Sequence, residues 1–206
     1  MEIRIHTQSG SVESFSQENP ALVARILKGL QFTKLFTGDI ITIAGDYSLT
    51  TFVASRVNRI DLISEDPLPW ENSTDVLDVA ELLEDEFRER IHLDDPARRE
   101  RRRTPKQTGE FARVFVEVEM SGGNRIFLEA EIKVALEAER LHRLHALFSA
   151  PAIHFRLPQG GTAILNLKNL VRLTFNPGPD RTPINAWPAH HLTHWQKSRS
   201  LAIEGH

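Results

Sequence analysis

Residues 111–132 read FARVFVEVEM, then SGGN, then RIFLEAEI, and this stretch constrains the fold more than any other. Apolar and polar residues alternate on both sides of a four-residue break. Strand side chains point in turn to opposite faces, so a period of two predicts a strand with one buried and one wetter face. Ser121, Gly122, Gly123 and Asn124 are turn formers, and the whole reads as an antiparallel hairpin.

The same signals stand at the start of the chain. Ile3, Ile5, Val12 and Phe15 flank a turn at Ser9-Gly10, which predicts a first hairpin over residues 4–16. Asn19-Pro20 then offers an N-cap residue and a proline in the first helical position, where the missing N–H costs nothing. Leu22, Val23, Ile26, Leu27 and Leu30 recur at helical spacing and predict one apolar stripe packed on a sheet. Residues 39–63 return to strand-like composition, broken at Gly45-Asp46, a pair that suits a turn with positive φ. They predict a second hairpin and a third strand, VNRIDLI.

After the 111–132 hairpin the order repeats. Residues 131–148 predict a helix with Val134, Ala138, Leu141, Leu144 and Phe148 near one face. Residues 152–175 predict a hairpin turning at Gly160-Gly161 and a closing strand, NLVRLTF. Gly10 answers Gly123, Gly45 answers Gly160, and Phe36 answers Phe148. The match is one of element order and turn placement rather than residue identity.

Between the halves, residues 72–93 predict an amphipathic helix capped by Ser73 or Thr74, with Val76, Val79, Leu83, Phe87 and Ile91 as its stripe. The sequence-based fold is therefore α+β. It consists of two similar strand-strand-helix-strand-strand units with mainly antiparallel sheets, joined by an extra amphipathic helix and a charged linker. The expected divisions are 1–66, a connecting segment 67–110, 111–176, and a Pro/Trp/His-containing tail 177–206. Each unit alone is near the size at which a core becomes marginal, which favours a packed pair.

Composition limits the functions open to such a chain. A net charge of −3 over 206 residues gives no global field toward nucleic acid or an anionic membrane. With no cysteine, disulfides, thiolate nucleophiles and cysteine-rich zinc modules are all excluded. No apolar run reaches membrane-spanning length, and the expected setting is soluble and cytoplasmic, without membrane contact.

Three sets of residues are candidates for contact or chemistry. Arg98, Arg99, Arg101, Arg102, Arg103 and Lys106 form a basic segment able to neutralise phosphates. The acidic run upstream, Glu84 to Asp95, offers it a simpler partner, and no aromatic residues interleave to stack on bases. His190 and His194 would stand one helical turn apart, a spacing that can chelate a divalent transition metal. Two ligands do not complete a site, and His191 occupies the place where a metalloprotease helix carries glutamate. His142 and His145 read as boundary residues of a packed helix face. Trp70, Trp187 and Trp195 follow proline-containing exits; each either plugs its own unit or offers an aromatic contact to a partner.

Phosphate-binding loops, the nucleophile elbow and HExxH are all missing from the sequence. Asp39, Asp46 and Asp61 lie around the first hairpin without forming a matched pair. No cofactor is strongly implied. The expectation is a non-enzymatic interaction or regulatory module that self-associates, with a protein partner open to it. The alternatives are a nucleic-acid-associated regulator using 98–106, and a metal-binding protein or metal-dependent enzyme using the tail histidines.

Overall fold

The computed structural model describes residues 1–64, 75–91, 109–134, 146–147, 149–176, 186–187 and 189. Their class is α+β, with strands predominating. Strands β1 (Glu2–Thr7) and β2 (Val12–Ser16) form the first hairpin, followed by α1 (Pro20–Gly29) and a single turn α2 (Phe32–Leu35). Then come β3 (Ile40–Ala44), β4 (Leu49–Val53), a 3-10 turn Ala54–Arg56 and β5 (Val57–Ile63). Strand β6 (Val76–Leu82) and helix α3 (Glu84–Ile91) lead to β7 (Phe111–Met120) and β8 (Arg125–Lys133). The chain closes with β9 (Ala152–Arg156), β10 (Thr162–Asn166), a 3-10 turn Leu167–Asn169 and β11 (Leu170–Asn176).

Nine strands make one sheet in the order β11-β7-β8-β6-β9-β10-β5-β1-β2, while β3 and β4 form a separate pair. Every pairing is antiparallel except β6 with β9, so the large sheet is mixed.

Local chemistry accounts for the helix starts. The Asn19 side chain accepts from the Ala21 and Leu22 amides at 3.0 and 3.4 Å, and Pro20 begins α1. Of the expected stripe, Val23 and Leu27 are buried, whereas Leu22 lies in solvent. Helix α3 carries Glu84, Asp85 and Glu86 in its first turn, where the helix dipole favours negative charge, and Arg88 and Arg90 in its last. Phe87 and Ile91, one turn apart, bury against Phe115 and Phe127.

Three expectations need correction. The helix expected over 72–93 is a strand from Val76 to Leu82 and becomes helical only at Glu84. Strand β8 presents a long edge, and β6 satisfies it with pairs from Val76↔Ile132 to Leu82↔Phe127. Sheet pairing outweighs the weak helical spacing of those valines and leucines. Likewise, the helix expected from residue 131 begins no earlier than 134, because Glu131–Lys133 still belong to β8. Its residues 135–145 and 148 lie outside the described set. The β3–β4 turn does form at Gly45, closed by its amide to Ser48 O at 2.8 Å, but without positive φ there.

Besides the cluster of Phe87, Ile91, Phe115 and Phe127, two larger cores lie within this frame. The first gathers Ile3, Ile5, Val23, Leu27, Phe36, Phe52, Val57, Ile60 and Leu62. The second gathers Val118, Met120, Ile126, Leu128, Phe155, Leu157, Ala163, Leu165 and Leu167. Strand β10 serves both, since Ile164 points into the first while Ala163 and Leu165 point into the second.

Candidate functional site: a buried ionic cluster and two open strand edges

Arg59 and Asp61 are two residues apart on β5 and therefore share a face, opposite Ile60 and Leu62. His6 lies across from Arg59 on β1, and its Nε2–H donates to Asp61 Oδ2 at 2.9 Å. Arg59 Nε donates to Asp61 Oδ1 at 2.5 Å. The other end of the guanidinium grips Glu81 of β6, with both bonds at 2.7 Å. Its flat face rests on the Phe155 ring, 5.4 Å from the centroid. One side chain thus spans β9 and β10 to tie β5 to β6.

The cluster is electrostatically closed. Burial alone would raise the Asp61 carboxyl, but the hydrogen bonds from His6 and Arg59, together with the Arg59 charge, hold it below its ordinary value. Burial would likewise lower the Arg59 guanidinium, and the bonds it donates to Glu81 and Asp61 raise it instead. A carboxylate-held histidine can orient a proton transfer. Among the described residues the His6 ring bonds to Asp61 alone. Among the described residues no group of three or more His, Asp or Glu could hold a metal ion. The arrangement is an ionic clamp that ties β5 to β6 and β1.

The second feature is the seam between the cores. Strand β10 pairs with β5 through Thr162↔Leu62, Ala163↔Asp61, Ile164↔Ile60 and Leu165↔Arg59. Asn166 Nδ2 donates to Val57 O at 2.9 Å, and Asn169 Nδ2 to the same oxygen at 2.9 Å and to Ser55 O at 3.1 Å. From the other side Asn58 Nδ2 donates to Ser121 O at 2.7 Å. Side-chain amides therefore satisfy carbonyls that the seam buries, as burial demands. Asn58 Oδ1 is the one buried side-chain polar atom without a partner among the described residues. Backbones also meet closely here: a Cβ on Gly122 would lie 1.9 Å from Gln8 O, and one on Gly161 would lie 2.3 Å from Leu62 O.

The third feature is what the seam leaves open. Among the described residues β2, β3, β4 and β11 each keep one edge that no strand pairs with. Strand β4 reads LTTFV, without a charge to discourage pairing, and Leu49 and Val53 are 70% and 55% exposed. On β11 Val171 is 61% exposed, and Leu173 and Phe175 are only partly covered.

Of the residues singled out from sequence, Trp187 is described and stands 94% exposed, so it plugs neither core. Trp70, Trp195, His142, His145, His190, His194 and the basic segment Arg98, Arg99, Arg101, Arg102, Arg103 and Lys106 lie outside the described residues. Sequence reasoning missed the cluster of His6, Arg59, Asp61 and Glu81. The available signal was the pair of opposite charges two apart inside VNRIDLI, a strand otherwise explained by packing. No helix among the described residues is long and apolar enough to cross a membrane. No family model matches the chain, and no curated protein or solved structure matches it.

Proposed function

We propose that the chain is a non-enzymatic, cytoplasmic interaction module made of two like units, and that it works by self-association through its sheet edges. The observation that carries this reading is the open edges of the two sheets, among them the uncharged β4 and the β11 edge with its exposed Val171, because an unpaired edge is a template for another strand.

Pairing registers support the two-unit construction. The shift that carries Glu2 to Phe115 turns Glu2↔Ser16 into Phe115↔Glu129 and His6↔Val12 into Glu119↔Arg125, both of which occur. It also turns Glu2↔Ile63 into Phe115↔Asn176 and Thr7↔Val57 into Met120↔Leu170, bulge included. Strand β4, its 3-10 turn and β5 match β10, its 3-10 turn and β11 in length, element by element. Even the turn bond from the Gln8 amide to Arg56 O recurs as Ser121 to Asn169 O. Such agreement reflects a common plan filled by different side chains.

The test is sedimentation velocity and native mass of the untagged chain through the micromolar range. Integral multiples of the chain mass that grow with concentration are expected. A monomer at every concentration overturns the reading.

A further inference from the structure

We propose that copies of this chain join head to tail, with the β4 edge of one copy pairing antiparallel to the β11 edge of the next in the register that β10 uses on β5. The proposal rests on the self-association reading and specifies its geometry. Within the chain, the second unit already docks on the first by laying β10 along β5. The corresponding strand of the first unit is β4, and the corresponding receiver in the second is β11. Both of these edges are open among the described residues. The chain therefore ends in the two halves of a joint that it also contains whole.

Burial shows what the internal joint covers and the outer halves lack. Ile60 and Leu62 are 4% and 1% exposed in the first core, to which β10 adds Ile164, whereas their counterparts Leu173 and Phe175 remain partly open. Ile164, which enters the first core, corresponds to Thr51 on β4. Transferring the internal register places Leu49 opposite Phe175 of the next copy, Thr50 opposite Thr174, Thr51 opposite Leu173 and Phe52 opposite Arg172. Leu49, Thr51 and Val53 share the exposed face of β4 and would close over the next copy's second core. The occupant is a second copy because the corresponding strands already pair in this register within the molecule.

The intermolecular joint differs from the internal one in a way that sets its strength. The counterparts of Asn166 and Asn169, whose amides bind the seam carbonyls, are Val53 and Arg56. Val53 adds apolar contact but donates nothing, while Arg56 keeps a donor there. The contact should thus be reversible where the internal seam is permanent. It is also heterologous, since two different surfaces meet, so it generates a closed ring or an open filament rather than a twofold dimer.

The chain contains no cysteine, which permits a direct test of register. Single variants Thr51→Cys and Leu173→Cys are mixed and mildly oxidised. A disulfide needs Cβ atoms about 3.5–4.5 Å apart, whereas diagonal cross-strand neighbours stand roughly 7–8 Å apart. A cross-linked dimer is expected from that mixture, at least tenfold less from Thr51→Cys with Val171→Cys, and none from either variant alone. Separately, Leu49→Lys with Val53→Lys alters only exposed positions and should weaken assembly at least tenfold without loss of the folded monomer.

If the native chain assembles but cross-links only as Thr51→Cys to itself or with Val171→Cys, the head-to-tail register is overturned and self-association stands. Assembly that survives both lysines overturns it as well. A chain that is monomeric throughout overturns both.

Discussion

The closeness of the backbones at the seam can be measured with two pairs of neighbouring glycines. Gly122 and Gly123 have φ of 87° and 83°, so alanine at either position meets the same left-handed cost, about 1–2 kcal/mol. Their surroundings differ entirely. A Cβ on Gly123 has nothing within 4 Å, while one on Gly122 would sit 1.9 Å from Gln8 O and 3.0 Å from the Gln8 carbonyl carbon. Since 3.4 Å is the onset of ordinary contact, the two turns must part by more than an ångström in Gly122→Ala. That movement pulls Ser121 O from Asn58 Nδ2, a buried bond whose loss costs roughly 1–3 kcal/mol. Gly122→Ala should therefore lose about 2–5 kcal/mol and Gly123→Ala about 1–2. Any gain from restricting the unfolded chain is common to both and cancels in the comparison. Urea titration followed by circular dichroism reads the difference as a midpoint gap on the order of 1 M, given the usual slopes for small proteins. Gly161→Ala, facing Leu62 O at 2.3 Å, should likewise exceed Gly160→Ala, which meets nothing within 4 Å. Equal midpoints within both pairs would refute the close approach of the units.

Three other perturbations probe the cores and the clamp. Phe87→Ala removes a fully buried ring packed 5.0 Å from Phe127 and 6.1 Å from Phe115, and should cost about 3–5 kcal/mol in the same titration. Asn166→Ala strips the amide from Val57 O and Ala54 O in a buried setting, with an expected loss of about 1–3 kcal/mol; an unchanged midpoint would remove the seam bonds from the account. For Asp61 the folded carboxyl lies below its ordinary 3.8, so its contribution is present above that value and is lost as pH falls through the folded one. Thermal melts should therefore show the native chain losing stability on acidification more steeply than Asp61→Asn, and parallel curves would count against the clamp.

Residue patterns revealed the parts of the fold that local rules decide. The hairpins at Gly10, Gly122-Gly123 and Gly160-Gly161 follow from turn chemistry, and the start of α1 follows from Asn19-Pro20. Strand β6 was hidden because Val76, Val79, Leu83, Phe87 and Ile91 fit a helical stripe from end to end. What decides the first part is the open edge of β8, distant in sequence and invisible to any local window. The ionic clamp was hidden for a related reason. Arg59 and Glu81 belong to strands that are not neighbours in the sheet, and only the insertion of β9 and β10 between them sets the span of the guanidinium. The open edges were equally illegible, since LTTFV and TAILN read alike as strands and differ only in what lies beside them.

Sharing β10 between two cores also shapes how the chain is made and lost. Strand β5 is complete long before β10 emerges from synthesis, so its second edge waits unpaired, although Ile60 and Leu62 already have Val23, Leu27, Phe36 and Phe52 to pack against. During that interval the unpaired edge of β5 makes the first half the aggregation-prone species. Once β10 docks, removing it would open both interiors at once, because Ile164 leaves one as Ala163 and Leu165 leave the other. The described strands should then melt as one cooperative unit.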